Sequence, residues 1–136
     1  MVAGNAQSGT AGAALGTPLN VRVQDAYGHP VSGARVTWTT GNLSGSIVPA
    51  RDTTNATGHV TATWTLGTAA VPQTVSASLG AGTTPINFTA TAAPTSTRVM
   101  TIVSGNGQTA AAGAQLGSSI VVQVTDQFGN LISGQS

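Results

Sequence analysis

Thr57-Gly58-His59-Val60-Thr61-Ala62-Thr63-Trp64-Thr65-Leu66-Gly67 sets the structural period of the chain. Val60, Ala62, Trp64 and Leu66 alternate with His59, Thr61, Thr63 and Thr65. A period of two places one apolar and one polar face on a strand and matches no helix stripe. Threonine on the outer face favours extended backbone over helix. The same alternation spreads in both directions. Leu19, Val21 and Val23 alternate with Asn20, Arg22 and Gln24, and Val36 and Trp38 with Arg35, Thr37 and Thr39. Val75, Ala77 and Leu79 form another such row, followed by Ile86, Phe88 and Ala90. Ile47-Val48-Pro49 reads as an edge piece, because proline donates nothing to a ladder. Glycine-rich turns at Tyr27–Pro30, Ser32-Gly33, Gly41–Gly45, Asn55–Gly58 and Gly80–Gly82 punctuate the rows. The pattern predicts an all-β fold, an antiparallel β-sandwich of about seven strands. Its expected core is Val21, Val23, Val36, Trp38, Val60, Ala62, Trp64, Val75, Ala77, Ile86 and Phe88.

A shift of 101 residues lays the start of the chain on its end. Val21-Arg22-Val23-Gln24-Asp25-Ala26-Tyr27-Gly28 falls on Val122-Gln123-Val124-Thr125-Asp126-Gln127-Phe128-Gly129. From 2/103 to 35/136, 15 of the 34 aligned pairs are identical, so the chain is a tandem array. Residues 1–93 form one complete sandwich repeat, 94–97 a short linker, and 98–136 the first strands of a second copy.

Composition excludes several function classes. Charged residues make up 5% of the chain, with no Lys, no Glu and no Cys, and the formal net charge is +1. Such a surface cannot track phosphates, so nucleic acid is not an expected partner. Disulfides, thiolate nucleophiles and zinc–thiolate sites are absent together. No run reaches 18 consecutive apolar residues, so no membrane span is expected in this chain. The residues from Met1 to Asn5 show neither a basic nor an apolar export region.

The segment from Val23 to Trp38, Val-Gln-Asp-Ala-Tyr-Gly-His-Pro-Val-Ser-Gly-Ala-Arg-Val-Thr-Trp, resembles the strand B to strand C region of bacterial immunoglobulin-like domains of the invasin/intimin type. Thr57–Gly67 is similar to strand E of that family, and Val75–Leu79 and Ile86–Ala92 to its strands F and G. The resemblance implies an immunoglobulin-like sandwich with Trp38 buried on strand C. It also implies a structural or adhesive repeat, a stalk of an extracellular or cell-surface protein or filament. No catalytic residue and no cofactor is expected. The alternatives are a carbohydrate-binding module, which needs Trp38 or Trp64 facing solvent, and an immunoglobulin-like decoration domain of a phage particle.

Candidate chemistry is sparse. Asp25 and Asp126 recur at one repeat position, each three residues before a glycine, Gly28 and Gly129. An aspartate there accepts backbone N–H bonds in the turn leaving strand B. Calcium at the repeat junction is the competing reading, although three carboxylates in the whole chain leave most ligands to carbonyls and water. Tyr27 is matched by Phe128, which favours a packed ring. The second copy lacks every later strand that covers the apolar row Ile120, Val122 and Val124, and the first copy lacks a counterpart of Arg98–Ile102. These two gaps predict strand complementation between chains, with Val99, Ile102, Ile120, Val122 and Val124 as pairing residues, or else a window cut from a longer polymer of repeats. The expected partners are therefore copies of the chain itself in a head-to-tail filament or tandem array.

Overall fold

The computed structural model describes residues 1–134. Gln135 and Ser136, the end of the segment read as 98–136, lie outside the described residues. The chain divides into two compact units, the first Met1–Ala93 and the second beginning at Pro94. No helix among the described residues is long and apolar enough to cross a membrane.

The first unit contains strands β1 (Gln7–Thr10), β2 (Leu19–Arg22), β3 (Arg35–Thr40), β4 (Ser46–Val48), β5 (Arg51–Thr53), β6 (His59–Thr65), β7 (Pro72–Ser78) and β8 (Ile86–Ala93). One sheet runs β1-β8-β7-β3-β5 and the other β2-β6-β4. The fold is the expected all-β immunoglobulin-like sandwich, with one departure from an antiparallel arrangement. β1 runs parallel to β8, from Gln7 opposite Ala90 to Thr10 opposite Ala93. At Gly9, an inward position of β1, a Cβ would stand 2.9 Å from Leu66 Cδ1 and 3.0 Å from Leu15 Cδ2. The leucines fill the space that a β1 side chain would need.

The core lies between the sheets. Val21, Val36, Trp38, Val60, Ala62, Trp64, Val75, Ala77 and Phe88 are buried, joined by Ala11, Leu15, Leu19, Ile47, Leu66, Ala90 and Ala92. Val23 and Ile86, expected in the core, are only half-buried and pack against its margin. The Trp38 and Phe88 rings lie 5.7 Å apart, tilted by 47°, a geometry that suits their quadrupoles. Trp64 differs from Trp38 in its polar atom. Its Nε1 donates to the Ser44 carbonyl at 2.6 Å, whereas Trp38 Nε1 is buried without a partner. The loop carrying Ser44 is held tightly: Gly45 has φ +71°, and a Cβ there would overlap the Thr65 carbonyl. Both indoles are buried, so neither forms the exposed platform a carbohydrate-binding module requires.

In the second unit, β9 (Val99–Ser104) and β10 (Val121–Thr125) form an antiparallel pair. Val121 faces Ser104 and Val122 faces Ile102, so Val103 is bulged out of the ladder. The repeat positions make the contrast with the first unit plain. Leu19 is 0% exposed while its counterpart Ile120 is 65% exposed; Val21 is 3% exposed while Val122 is 48% exposed.

The two tryptophans give a direct test of this packing. Trp64→Phe leaves the Ser44 carbonyl without its donor, whereas Trp38→Phe removes a donor that had no acceptor. Trp64→Phe should therefore cost about 1–3 kcal/mol more than Trp38→Phe. Urea unfolding midpoints at equal m-value check it; equal costs would contradict the assignment.

Candidate functional site

The residues recurring between the units build the same device twice. Asp25 Oδ1 accepts the N–H groups of Tyr27 and His29, each at 2.9 Å. Asp126 Oδ1 accepts those of Phe128 and Asn130, each at 2.9 Å. In both turns the aspartate N–H bonds the carbonyl four residues on, and the glycine N–H, of Gly28 or Gly129, returns to the aspartate carbonyl. Both glycines have positive φ, +87° and +83°. Asn55 repeats the arrangement with an amide, accepting from Thr57 and His59 at 3.0 Å. The side chain thus replaces the carbonyl that would otherwise close the turn.

The fourth turn position distinguishes the two aspartates. His29 Nδ1 lies 3.2 Å from Asp25 Oδ2, and Asn130 Nδ2 donates to Asp126 Oδ2 at 2.9 Å. Asp126 Oδ2 also accepts the Thr95 N–H at 2.9 Å. The stretch read as linker, 94–97, is thereby bonded into the second unit; Thr97 Oγ1 also reaches Gln127 Oε1 at 3.3 Å. The His29 N–H is the main cause that holds the Asp25 carboxyl below its ordinary value; slight burial opposes it and the Tyr27 N–H assists. At Asp126 burial raises the pKa most strongly, but the Asn130 amide and the N–H groups of Thr95, Asn130 and Phe128 together outweigh it. Its carboxyl is held well below the ordinary range. N–H donors point at both Asp126 oxygens, an environment opposite to that of a calcium ligand. Among the described residues no three His, Asp or similar side chains stand close enough to hold a metal.

Other side chains carry the frame without having been singled out in the sequence. Gln7 Nε2 donates to the carbonyls of Gly4 and Thr17, each at 2.8 Å, and Gln108 Nε2 does the same to Gly105 and Ser118. The identity of Gln7 and Gln108 across the shift of 101 was the signal available. Gln73 is buried and holds the loop after β6, accepting from Gly67 N–H at 2.8 Å and donating to Ala69 at 3.0 Å. Its inward parity on β7, in line with Val75 and Ala77, disguised it as an apolar position. The packed-ring reading of Tyr27 is corrected: the ring is 87% exposed. A residue at a turn tip points away from the sheet, and Asp25 rather than the ring holds the turn.

The pairing residues fall on one hairpin. Val99 faces Thr125, Ile102 faces Val122 and Val124 faces Met100, all within the chain, and Ile120 precedes β10. One edge of each strand is thus paired within the chain. Met100, Ile102, Ile120 and Val122 remain exposed.

In the first unit the outer edge of β2 is the corresponding feature. Asn20 N–H bonds the Ala3 carbonyl at 3.0 Å, and Val2 N–H bonds the Asn20 carbonyl at 2.8 Å. This is the place that Ser104 takes opposite Val121 in the second unit. Beyond it, among the described residues, no strand pairs this edge at Arg22. Beside it opens a cleft of about 190 Å³ lined by Val21, Val23, Val36, Ala77, Leu79 and Ile86, with Arg22 and Gln24 on its rim.

Acid dependence follows from the turn carboxylates. A depressed folded pKa means that the stabilisation is present above the unfolded value and is lost as pH falls through the folded one. The Thr95 and Phe128 amides should keep slow hydrogen exchange down through pH 3.8, the ordinary aspartate value, and lose it only in stronger acid. Asp126→Ala should abolish that protection at every pH; amide exchange followed by NMR checks both outcomes.

The family model described as bacterial Ig-like domain (group 1) matches residues 4–93. No curated protein matches the chain. Among solved structures, invasin, described as a bacterial integrin-binding protein, aligns at 20% identity and a TM-score of 0.48, covering 93% of this chain and 25% of that one. The surface layer protein SbsC, domains 4–9, aligns at 16% identity and a TM-score of 0.47, covering 96% of this chain and 20% of that one. The chain spans a quarter or less of either structure. With its sandwich matched from Gly4 to Ala93, the chain belongs to the bacterial Ig-like domain (group 1) family.

Proposed function

We propose that this chain is a structural repeat of an extracellular surface protein or filament, a spacer that bears tension and joins copies of itself by strand addition. The observation that carries the reading is the parallel pairing of β1 with β8. These strands lie near the two ends of the first unit. Parallel neighbours pulled from opposite chain ends slide along one another, so their hydrogen bonds are loaded together rather than one by one. The Ala11 N–H to Ala93 carbonyl bond at 2.8 Å extends this pairing beyond the strands.

The surface supports the same role. Thr61 and Thr63 on β6, and Asn87, Thr89 and Thr91 on β8, are exposed and uncharged. Such faces offer water a hydrogen-bonding surface and offer a ligand little to grip. Family membership and the internal repeat fit a series of similar modules.

Single-molecule pulling tests the mechanical claim. Handles at residues 5 and 93 load β1 and β8 in shear, whereas handles at residues 10 and 93 peel their paired ends. The shear geometry should need at least about twice the force, because all the ladder bonds resist together. Equal forces in the two geometries would remove the observation on which the spacer role rests.

A further inference from the structure

Four outward positions of the β3–β5 pair form one rectangle. Arg35 stands opposite Thr53 and Thr37 opposite Arg51, so the arginines occupy one diagonal and the threonines the other. Val36 and Trp38, which alternate with Arg35 and Thr37 along β3, are buried. Paired residues share a face, so all four corners lie on the outer side of the sheet. Two of the four arginines in a chain without lysine thus share one patch. Diagonal neighbours on paired strands lie about 7–8 Å apart, a span that two arginine side chains close easily. Both line one open depression of about 270 Å³, together with Asp52 and Thr53.

The charges of this patch are unmet. Among the described residues no hydrogen bond or ion pair engages the side chains of Arg35, Thr37, Arg51 or Thr53. Asp52 pairs with buried Val36 and so belongs by parity to the opposite face; its Oδ1 accepts the Thr53 N–H at 2.7 Å. Like charges on neighbouring strands destabilise a sheet. Protection of an exposed edge accounts for charge on β5, the outermost strand. It does not account for Arg35, because β3 lies between β5 and β7. An anion seated between the two guanidiniums removes their repulsion and engages both forks of donors. Arginine matches the paired oxygens of a carboxylate or a tetrahedral oxyanion in this way.

We propose that this patch is a binding site for an acidic sugar residue, one that bears a carboxylate or a sulfate group. Arg35 and Arg51 hold the anionic group. The Thr37 and Thr53 hydroxyls both donate and accept, which suits the sugar hydroxyls beside it. No apolar side chain lines the depression, so an acidic peptide has nothing there against which to bury its neighbouring side chains. No aromatic ring lines it either. Recognition therefore works through charge and not through ring stacking, in keeping with the burial of both indoles. The site goes beyond the spacer role and does not depend on it.

Titration of the full chain, followed by NMR at low ionic strength, tests the proposal. Hexagalacturonate, sulfated maltohexaose or both should shift the Thr37 and Thr53 amides, and added salt should weaken the binding. The tighter of the two identifies the preferred anionic group. Uncharged maltohexaose should shift neither amide. Arg35→Gln and Arg51→Gln should each weaken binding about tenfold, the loss of one charge-assisted contact. Arg22→Gln removes the same charge from the other sheet and should leave the binding unchanged. Absence of shifts with both acidic sugars would overturn the proposal. So would an Arg22→Gln loss equal to that of Arg51→Gln, which marks a general attraction rather than a site. Hexaglutamate that binds as tightly as the acidic sugars would overturn the assignment to a sugar.

Discussion

An apolar strand face is stable in water only when a second sheet covers it, and this requirement governs both units. In the first, the inward rows of β2 and β6 meet those of β3, β7 and β8, and Leu19, Trp64 and Phe88 are removed from solvent. In the second, the same kind of row on β10 meets nothing, and Ile120 and Val122 remain in contact with water. The difference does not lie in the residues, which correspond closely at a spacing of 101, but in the strands available to pack on them. At about 25 cal/mol per Å² of apolar surface removed from water, covering such a row is a main source of the first unit's stability.

The turns act on a different principle. Asp25, Asn55 and Asp126 each gather two N–H groups onto one oxygen and allow the chain to reverse without a partner strand. Because this bonding is local, it survives intact in the second unit even where the sheet is incomplete. Gln7 and Gln108 likewise make identical bonds in a covered and an uncovered setting. Local polar geometry is thus encoded by each repeat alone, while burial requires the assembled set of strands. Asp126 adds one bond of its own, to the Thr95 N–H, which stiffens the entry to the second unit.

Much of the architecture was legible in the sequence, and the exceptions have physical causes. The alternation of Val60, Ala62, Trp64 and Leu66 revealed β6, because every inward position is apolar and every outward one polar. β1 gave no such signal, since its inward residue is Gly9 and its sequence is Gln-Ser-Gly-Thr. β5, Arg51–Thr53, is exposed along its whole length and carries no apolar position to detect. Gln73 sits in the core because a glutamine amide can satisfy itself on the Gly67 and Ala69 backbone, which parity does not reveal. The candidate turns were visible in the repeat, which sets Asp25 and Asp126 at one position, but the cleft beside Val23 and Ile86 depends on how two sheets converge, a property of no single segment.

The central claim is that burial in the first unit depends on its two sheets meeting, while the aspartate turns hold by local bonds alone. Hydrogen exchange in Phe88→Leu tests it most directly. On this account protection falls across the amides between β7 and β8, while the Tyr27 and His29 amides held by Asp25 keep theirs. Loss of protection in the Asp25 turn in step with the sheet would contradict it.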